Sequence, residues 1–450
     1  MKNEQENTIT TGNIWKQLLL FFFPILIGNV FQLLYNTSDA VIVGRYLGDD
    51  ALAGVGGSAS IIFTLFINFF TGLSTGVTVA IAQYYGAGEQ GTAEEALHTA
   101  YVFALLFGVF TGCAGILTAP VFLRILRTPQ ALLSMSAVYL RMLFAGILFT
   151  LIYNMGSAIL RAIGDSKRPL FILMCCCAAN IVLDLAFVGV LRLGVFGVGL
   201  ATALCQGGAA AAVTYLLARR TPKLTLSVRK LHLSGFMLSK ILKVGLPIAL
   251  SGCLYTFTNM FVQSAVNSMG VNTVAAWTAY SKLDSFWWMI DQAFTISITT
   301  FVGQNYGAEK PKRIHRAVRE VYFIETFFAL AIGGMIAAFS AELIGLFSSS
   351  AEVVRLGSVM ARGIAPFFWI YVFYNVFAST LRAENHVMFV TVMNFLCICV
   401  FRFLYVGIVS ANRDIAQLVA CYPVSWFMTS VIIGIFYFIT QPKIDRKLIQ

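Results

Sequence analysis

An amide and a carboxylate stand four residues apart inside a long apolar stretch, as Asn180 and Asp184 in the motif NIVLD. On a helix this spacing places both side chains on one face. A charged side chain at membrane depth costs from about 3 kcal/mol upward. A second carboxylate, Asp39, closes the polar motif YNTSD in the first apolar segment. Acids in such places are rare and usually functional, so proton or cation binding is the favoured interpretation, with helix capping or bracing as the alternative.

The composition of the chain indicates a membrane protein. Its 450 residues are 58% hydrophobic and 11% charged, and the mean hydropathy is +0.80. Soluble domains carry roughly 25% charged residues. Apolar stretches of the ~20 residues that a spanning helix needs recur along the whole length. We therefore predict an all-α integral membrane protein with twelve transmembrane helices.

The basic residues predict the orientation of these helices. The net charge of +11 does not indicate nucleic-acid binding, because no basic cluster lies in a soluble module. Instead, most lysines and arginines fall on the predicted loops that share a side with the two chain ends. Lys and Arg are enriched in cytoplasmic loops, which predicts a multi-pass plasma-membrane protein with both termini in the cytoplasm.

An internal repeat divides the chain into two halves. AQYYGAG at 82–88 recurs as GQNYGAE at 303–309, and YNMGSAILRA at 153–162 recurs as YNVFASTLRA at 374–383, both offset by 221 residues. Pro24 and Pro247 occupy similar places in the first helix of each half. We predict two six-helix bundles of the same orientation, residues 1–218 and 240–450, joined by a cytoplasmic linker at 219–239. Parallel repeats of this kind are typical of transporters, with binding sites near the middle of the membrane.

Several of these segments together resemble the multidrug and toxic compound extrusion (MATE) family of the MOP superfamily. The matching pieces are the Pro24 helix running to YNTSDAVIVGRYLG, the paired Q-x-Y-G-A turns at Gln83 and Gln304, LRAIGDSKRP at 160–169, NIVLD, GVGLATALCQ and FVGQNYGA. The resemblance covers essentially the whole chain. It implies two bundles facing each other in a V around a central cavity. It also implies export of amphipathic, often cationic compounds in exchange for Na⁺ or H⁺.

The resemblance further implies an ion-coupling site in the N-terminal bundle, on Asp39, Asn180, Asp184, Thr202 and Tyr139. Two carboxylates that face each other in a medium of low dielectric constant cannot both stay ionised, so the pair would hold a proton or a cation. Na⁺ is a hard cation that favours oxygen donors, as Ca²⁺ and Mg²⁺ do. Asp39, Asn180, Asp184 and Thr202 would supply those oxygens. No cofactor beyond the coupling ion is expected.

The C-terminal half has a different set of charges. Asp284 and Asp291 are seven residues apart and share a helix face; they would either attract a cationic substrate or pair with Lys282 or Arg402. Aromatic residues are abundant, and a subset could hold flat cations, although packing against lipid or core is the alternative for each. The candidate cavity residues are Tyr35, Asn154, Tyr255, Asp284, Trp287, Asp291, Tyr371 and Asn375.

Other functions fit the sequence less well. A flippase for a lipid-linked saccharide precursor would favour a cavity rich in Lys and Arg, whereas the basic residues avoid the helix interiors, except Lys282 and Arg402. A membrane enzyme would need clustered histidines or interfacial acid pairs. A channel is compatible with the helices, but the repeat favours alternating access. The expected partners are small amphipathic or cationic substrates and membrane lipid, and the protein is expected to be monomeric.

Overall fold

The computed structural model describes residues 8–221, 224–412 and 414–449, and these residues form helices without any strand. Eleven of the described helices are long and apolar enough to cross a membrane. The first six are α1 (Ile14–Leu47), α2 (Asp49–Gly86), α3 (Gln90–Ile125), α4 (Gln130–Ala162), α5 (Lys167–Val190) and α6 (Gly194–Arg219). In the second half they are α7 (Gly235–Ser268), α9 (Pro311–Ala338), α10 (Ala351–Ala383), α11 (Val387–Val409) and α12 (Ile415–Leu448).

A twelfth long helix, α8 (Val271–Gly307), follows α7. Its 37 residues include Lys282, Asp284 and Asp291 in the middle. These charges lower the hydropathy of a helix that otherwise has the length of its neighbours. The prediction of an all-α, multi-pass membrane fold is confirmed.

Three of the described helices contain a wide, π-helical turn. These turns are Val55–Ala59 in α2, Leu185–Val190 in α5 and Phe395–Val400 in α11. The turn in α2 includes a kink at Gly57. Such turns insert a residue into the helical register and are frequent at functional sites. The one in α5 begins immediately after Asp184, so the helical register changes directly after the acidic motif.

The chain divides into two compact units. The first unit is Phe23–Ala249, and the second is Leu250–Gln450 together with the N-terminal stretch up to Phe22. The unit boundaries fall within α1 and α7, next to Pro24 and close to Pro247. The lobe and linker boundaries at 1–218, 219–239 and 240–450 stay a prediction.

Within the first unit, the polar connection that follows α6 is anchored on the start of α3. The backbone N–H of Ser227 donates to the His98 ring over 3.0 Å, and Lys230 forms a 3.2 Å salt bridge with Glu94. Leu224 is fully buried beside them. The described part of this connection is therefore packed against the bundle.

Within the second unit, a buried carboxyl group lies in the short turn between α10 and α11. Glu384 is 1% exposed, and its Oε1 accepts a 3.0 Å hydrogen bond from Gln441 Nε2 on α12. The pKa of Glu384 is raised to about 7, chiefly by burial; the Gln441 hydrogen bond opposes this shift and the nearby Asp445 adds to it. Tyr306 and Tyr437 also face this carboxyl group.

Glu384 should make the stability of the protein fall as pH rises from about 5 to about 8. The unfolded chain ionises this carboxyl near 4.5, whereas the folded chain keeps it neutral up to about 7. The contribution is therefore fully present below 4.5 and lost as pH rises through 7. The shift corresponds to about 3 kcal/mol. We expect the melting temperature of Glu384→Gln to depend less on pH than that of the unchanged protein, with Glu342→Gln as a control.

Candidate functional site

Two carboxyl groups and an amide meet in the interior of the first unit. Asp39 on α1 is 7% exposed, and Asn180 and Asp184 on α5 are fully buried. The carboxyl groups of Asp39 and Asp184 lie within hydrogen-bond range of each other. Tyr139 on α4 faces both carboxyl groups. The structure thus brings together residues that lie far apart in the sequence.

Close packing of α4 against α6 places Tyr139 and Thr202 at this point. A Cβ atom at Gly199 would lie 2.5 Å from Met142 Cβ and 3.5 Å from the Tyr139 ring. One turn along α4 from Met142, a Cβ atom at Gly146 would lie 2.9 Å from Ala203. Glycine is therefore needed for the two helices to approach this closely. The approach brings the Tyr139 side of α4 against the Thr202 side of α6.

Many polar atoms at this site are buried without a hydrogen-bond partner. Both side-chain atoms of Asn180, both oxygens of Asp184, Asp39 Oδ1 and Thr202 Oγ1 belong to this group. Buried polar groups are normally paired, because an unpaired group loses its hydration without compensation. The donor set consists of carboxylate, amide and hydroxyl oxygens, which fits a proton or a small hard cation such as Na⁺.

Tyr35 belongs to this acidic site. It lies one helical turn before Asp39 and is 4% exposed. Its hydroxyl lies beside Thr202 and Asp39, yet it makes no hydrogen bond. It therefore adds one more unpaired polar atom to the group around the carboxyl pair.

The second unit contains a cavity of about 340 Å³ with aromatic walls. This volume suits a small drug-like molecule. The residues that line the cavity are Tyr255, Asn259, Gln263, Trp277, Tyr280, Ser281, Asp284, Trp288, Ile364, Tyr422 and Trp426.

Asp284 is the acidic residue in that lining, and its carboxyl group accepts hydrogen bonds from two aromatic side chains. Trp288 Nε1 donates to Oδ2 over 2.6 Å, and the Tyr280 hydroxyl donates to Oδ1 over 3.2 Å. These residues stand at four-residue intervals on α8, so they share one face. Both donors favour the charged carboxylate.

Pairing of Asp284 or Asp291 with Lys282 or Arg402, one of the two alternatives that the sequence left open, is not seen. Among the described residues, no salt bridge joins Lys282 or Arg402 to either acid. Lys282 is exposed. Arg402 is fully buried; its Nε donates to Ser425 Oγ over 2.9 Å, and its guanidinium lies 4.2 Å from the centre of the Tyr422 ring.

The other candidate cavity residues lie outside the lining of this cavity. Trp287 is fully buried and stacks on Phe368 at 5.1 Å. Tyr371 packs edge-to-face on Trp288, which lines the cavity, with 4.8 Å between the two ring centres.

Two further candidates are the asparagines of the repeated motif. Asn154 donates to the Thr150 carbonyl of its own helix, whereas Asn375 donates to Asp291 over 2.9 Å. The two halves therefore use the same motif position differently.

Some residues of the cavity were missed by the sequence reasoning. Trp277 and Tyr280 precede Asp284 by seven and four residues, so helical spacing alone could have found them. Tyr422 and Trp426 on α12 lie far from α8 in the sequence. No local pattern connects them to Asp284.

Known proteins resemble this chain along most of its length. The MatE family model matches residues 24–186 and 247–407, in keeping with the internal repeat. A probable multidrug resistance protein of Bacillus subtilis, YpnP, is 31% identical over 405 residues, which cover 89% of this chain and 90% of that protein. A second one from the same organism, YoeA, is 27% identical over the full length of both chains.

Solved structures agree on the fold. A crystal structure of a MATE protein in the bent conformation superposes with a TM-score of 0.92 at 22% identity, over 99% of both chains. The two-segment family match, the similarity to YpnP and this common architecture lead to one conclusion. The chain belongs to the MATE family of transporters.

Proposed function

We propose that this protein is a secondary active efflux antiporter, which exports amphipathic, often cationic compounds in exchange for Na⁺ or H⁺. Relatives of the chain are named as multidrug resistance proteins. The exchange is coupled through the acidic site of the first unit, formed by Asp39, Asn180, Asp184, Thr202 and Tyr139. No cofactor other than the coupling ion takes part.

The observation that carries this proposal is the group of unpaired polar atoms around Asp39 and Asp184. These two carboxyl groups approach each other in a buried place where Asp39 Oδ1 and both oxygens of Asp184 have no hydrogen-bond partner. Two negative charges at such a distance repel strongly at low dielectric constant. A proton or Na⁺ bound between them removes this repulsion, and its release restores it. Ion occupancy can therefore bias the conformation of the surrounding helices.

The aromatic cavity of the second unit supports the substrate class. A carboxylate held by Trp288 and Tyr280 provides a negative charge, and the surrounding rings present their faces to a cation. Arg402, whose guanidinium lies on Tyr422, is not among the lining residues. A pyrophosphate-linked saccharide would require basic groups, so a flippase is not favoured.

The proposed setting is the plasma membrane, with both termini in the cytoplasm and the protein as a monomer surrounded by lipid. Orientation rests on the distribution of lysines and arginines between the loops.

A vesicle assay tests the proposed function. The purified protein is reconstituted into liposomes, and movement of ethidium is followed by fluorescence under an imposed Na⁺ gradient and, separately, an imposed pH gradient. We expect uptake or release that depends on one of the two gradients and stops when that gradient is collapsed. Movement that is independent of both gradients would contradict antiport.

Asp284→Asn should weaken binding of ethidium about tenfold. The change removes the charge from the aromatic cavity and keeps the shape of the side chain, and tenfold corresponds to about 1.4 kcal/mol. Fluorescence polarisation with the purified protein measures the dissociation constant. Glu352→Gln, which removes an exposed acid paired with Arg355, serves as the control. Equal affinity in both variants would place the ethidium site elsewhere.

A further inference from the structure

The second unit contains a buried carboxyl pair of its own. Asp291 on α8 and Glu325 on α9 are 5% and 1% exposed, and their carboxyl groups lie within hydrogen-bond range of each other. Asn375 on α10 donates through Nδ2 to Asp291 Oδ1 over 2.9 Å and to Thr295 Oγ1 over 2.6 Å. Three helices therefore converge on this pair.

One oxygen of the pair has no partner. Glu325 Oε1 is buried and makes no hydrogen bond. One turn along α10 from Asn375, the Ser379 hydroxyl is also buried and unpaired. Among the described residues, no salt bridge neutralises either acid. Arg382 and Tyr371 face Asp291 from α10, and the guanidinium of Arg382 donates to the Tyr374 hydroxyl at 3.4 Å.

The repeat shows that the fold does not require acids at these positions. With the offset of 221 residues, Asp291 corresponds to Phe70 and Glu325 to Ala104 in the first half. Both of those side chains are fully buried and apolar. Packing of the equivalent helices is thus satisfied by apolar residues, which are free of the desolvation cost that two buried carboxyl groups carry.

We propose that Asp291 and Glu325 form a second proton-binding site, which holds one proton between the two carboxyl groups. A hydrogen bond between two carboxyl groups needs one of them protonated. The Asn375 amide donates to Asp291 and favours the charge on that residue, so Glu325 carries the proton and donates it to Asp291. Loss of the proton leaves two facing negative charges, which are too costly to keep in place.

The position of the pair connects it to the aromatic cavity. Asp291 is seven residues from Asp284 on α8, a distance of about 10 Å along the helix. Tyr371 faces Asp291 and packs on Trp288, which lines the cavity. This site goes beyond the proposed function, which couples export through the first unit alone.

Infrared difference spectroscopy of the purified protein tests the proposal without a transport measurement. The carbonyl stretch of protonated carboxyl groups is recorded as pH is raised, in a background in which Asp39→Asn, Asp184→Asn, Asp284→Asn and Glu384→Gln replace four other carboxyl groups. We expect a band that disappears at high pH, and we expect Glu325→Gln to abolish it. Glu352→Gln, which alters an exposed acid outside the pair, should leave it in place.

Two results would overturn the proposal. One is that the background protein shows no titrating carboxyl band, or shows a band that Glu325→Gln does not remove. The other is loss of the band when Na⁺ is added at constant pH, which would make the pair a sodium site. Glu325→Asp keeps a carboxyl group and should retain a shifted band, so it separates loss of the proton site from misfolding. Because export is not the readout, failure here leaves the antiport proposal intact.

Discussion

Asp184→Asn should abolish export driven by an ion gradient, while the protein should still reach the membrane. The substitution keeps the size of the side chain and removes one of the two charges that face each other in the first unit. Asp39 then has no charged partner. The site can no longer alternate between a state in which two carboxylates repel each other and a state in which a bound ion neutralises them. We expect the export rate in the vesicle assay to fall at least a hundredfold. Binding of ethidium should persist, because Asp284 and its aromatic cavity belong to the second unit.

Three companion variants sharpen this result. Asp39→Asn should have the same effect as Asp184→Asn. Asn180→Leu removes an oxygen donor and should also impair export. Thr202→Val should impair it most if Na⁺ is the coupling ion, since a proton needs no further oxygen ligand. Full export by Asp184→Asn, under either gradient, would make that carboxyl group a structural brace and refute coupling through the first unit.

The sequence predicts the helices and the repeat well, because both depend on local patterns. Long apolar stretches and the recurring Q-x-Y-G-A and LRA motifs are visible without any tertiary information. The approach of Asp39 to Asp184 is different. Only the family resemblance indicated it, since the two residues lie on different helices, α1 and α5, and no spacing within either helix predicts how the two pack. Tyr35 was assigned to the cavity, although its position one turn before Asp39 already placed it on the same helix face.

Neighbouring tryptophans show where the sequence leaves the site undetermined. Trp287 and Trp288 are adjacent, and successive residues of a helix point about 100° apart. One is buried against Phe368 and the other lines the cavity, a choice that depends on where α10 and α12 pack. The pairing of Asp291 with Glu325 likewise connects α8 to α9, and no spacing within either helix predicts it.

Close packing between α2 and the N-terminal part of α7 is the second feature with a large expected effect. A Cβ atom at Gly76 would lie 2.5 Å from the Ile241 carbonyl oxygen and 2.6 Å from the Gly245 nitrogen. A Cβ atom at Gly72 would collide with the backbone of Ala249. Backbone atoms cannot move aside as a flexible side chain can, so the helices would have to separate.

Gly76→Leu should therefore destabilise the first unit severely. Overpacking costs typically 1–3 kcal/mol and occasionally more. For a leucine that faces backbone atoms, we expect a cost at the upper end of this range. We expect a melting temperature at least 10 °C lower in detergent and a strong loss of folded protein, measured by fluorescence-detected size-exclusion chromatography after heating. Gly208→Leu is the matched control, because it lies in the helix α6 and a Cβ atom there meets nothing within 4 Å. Equal melting temperatures for the two variants would mean that α2 and α7 can separate at little cost. In that case the contact at Gly76 would not be what holds the N-terminal part of α7 in the first unit.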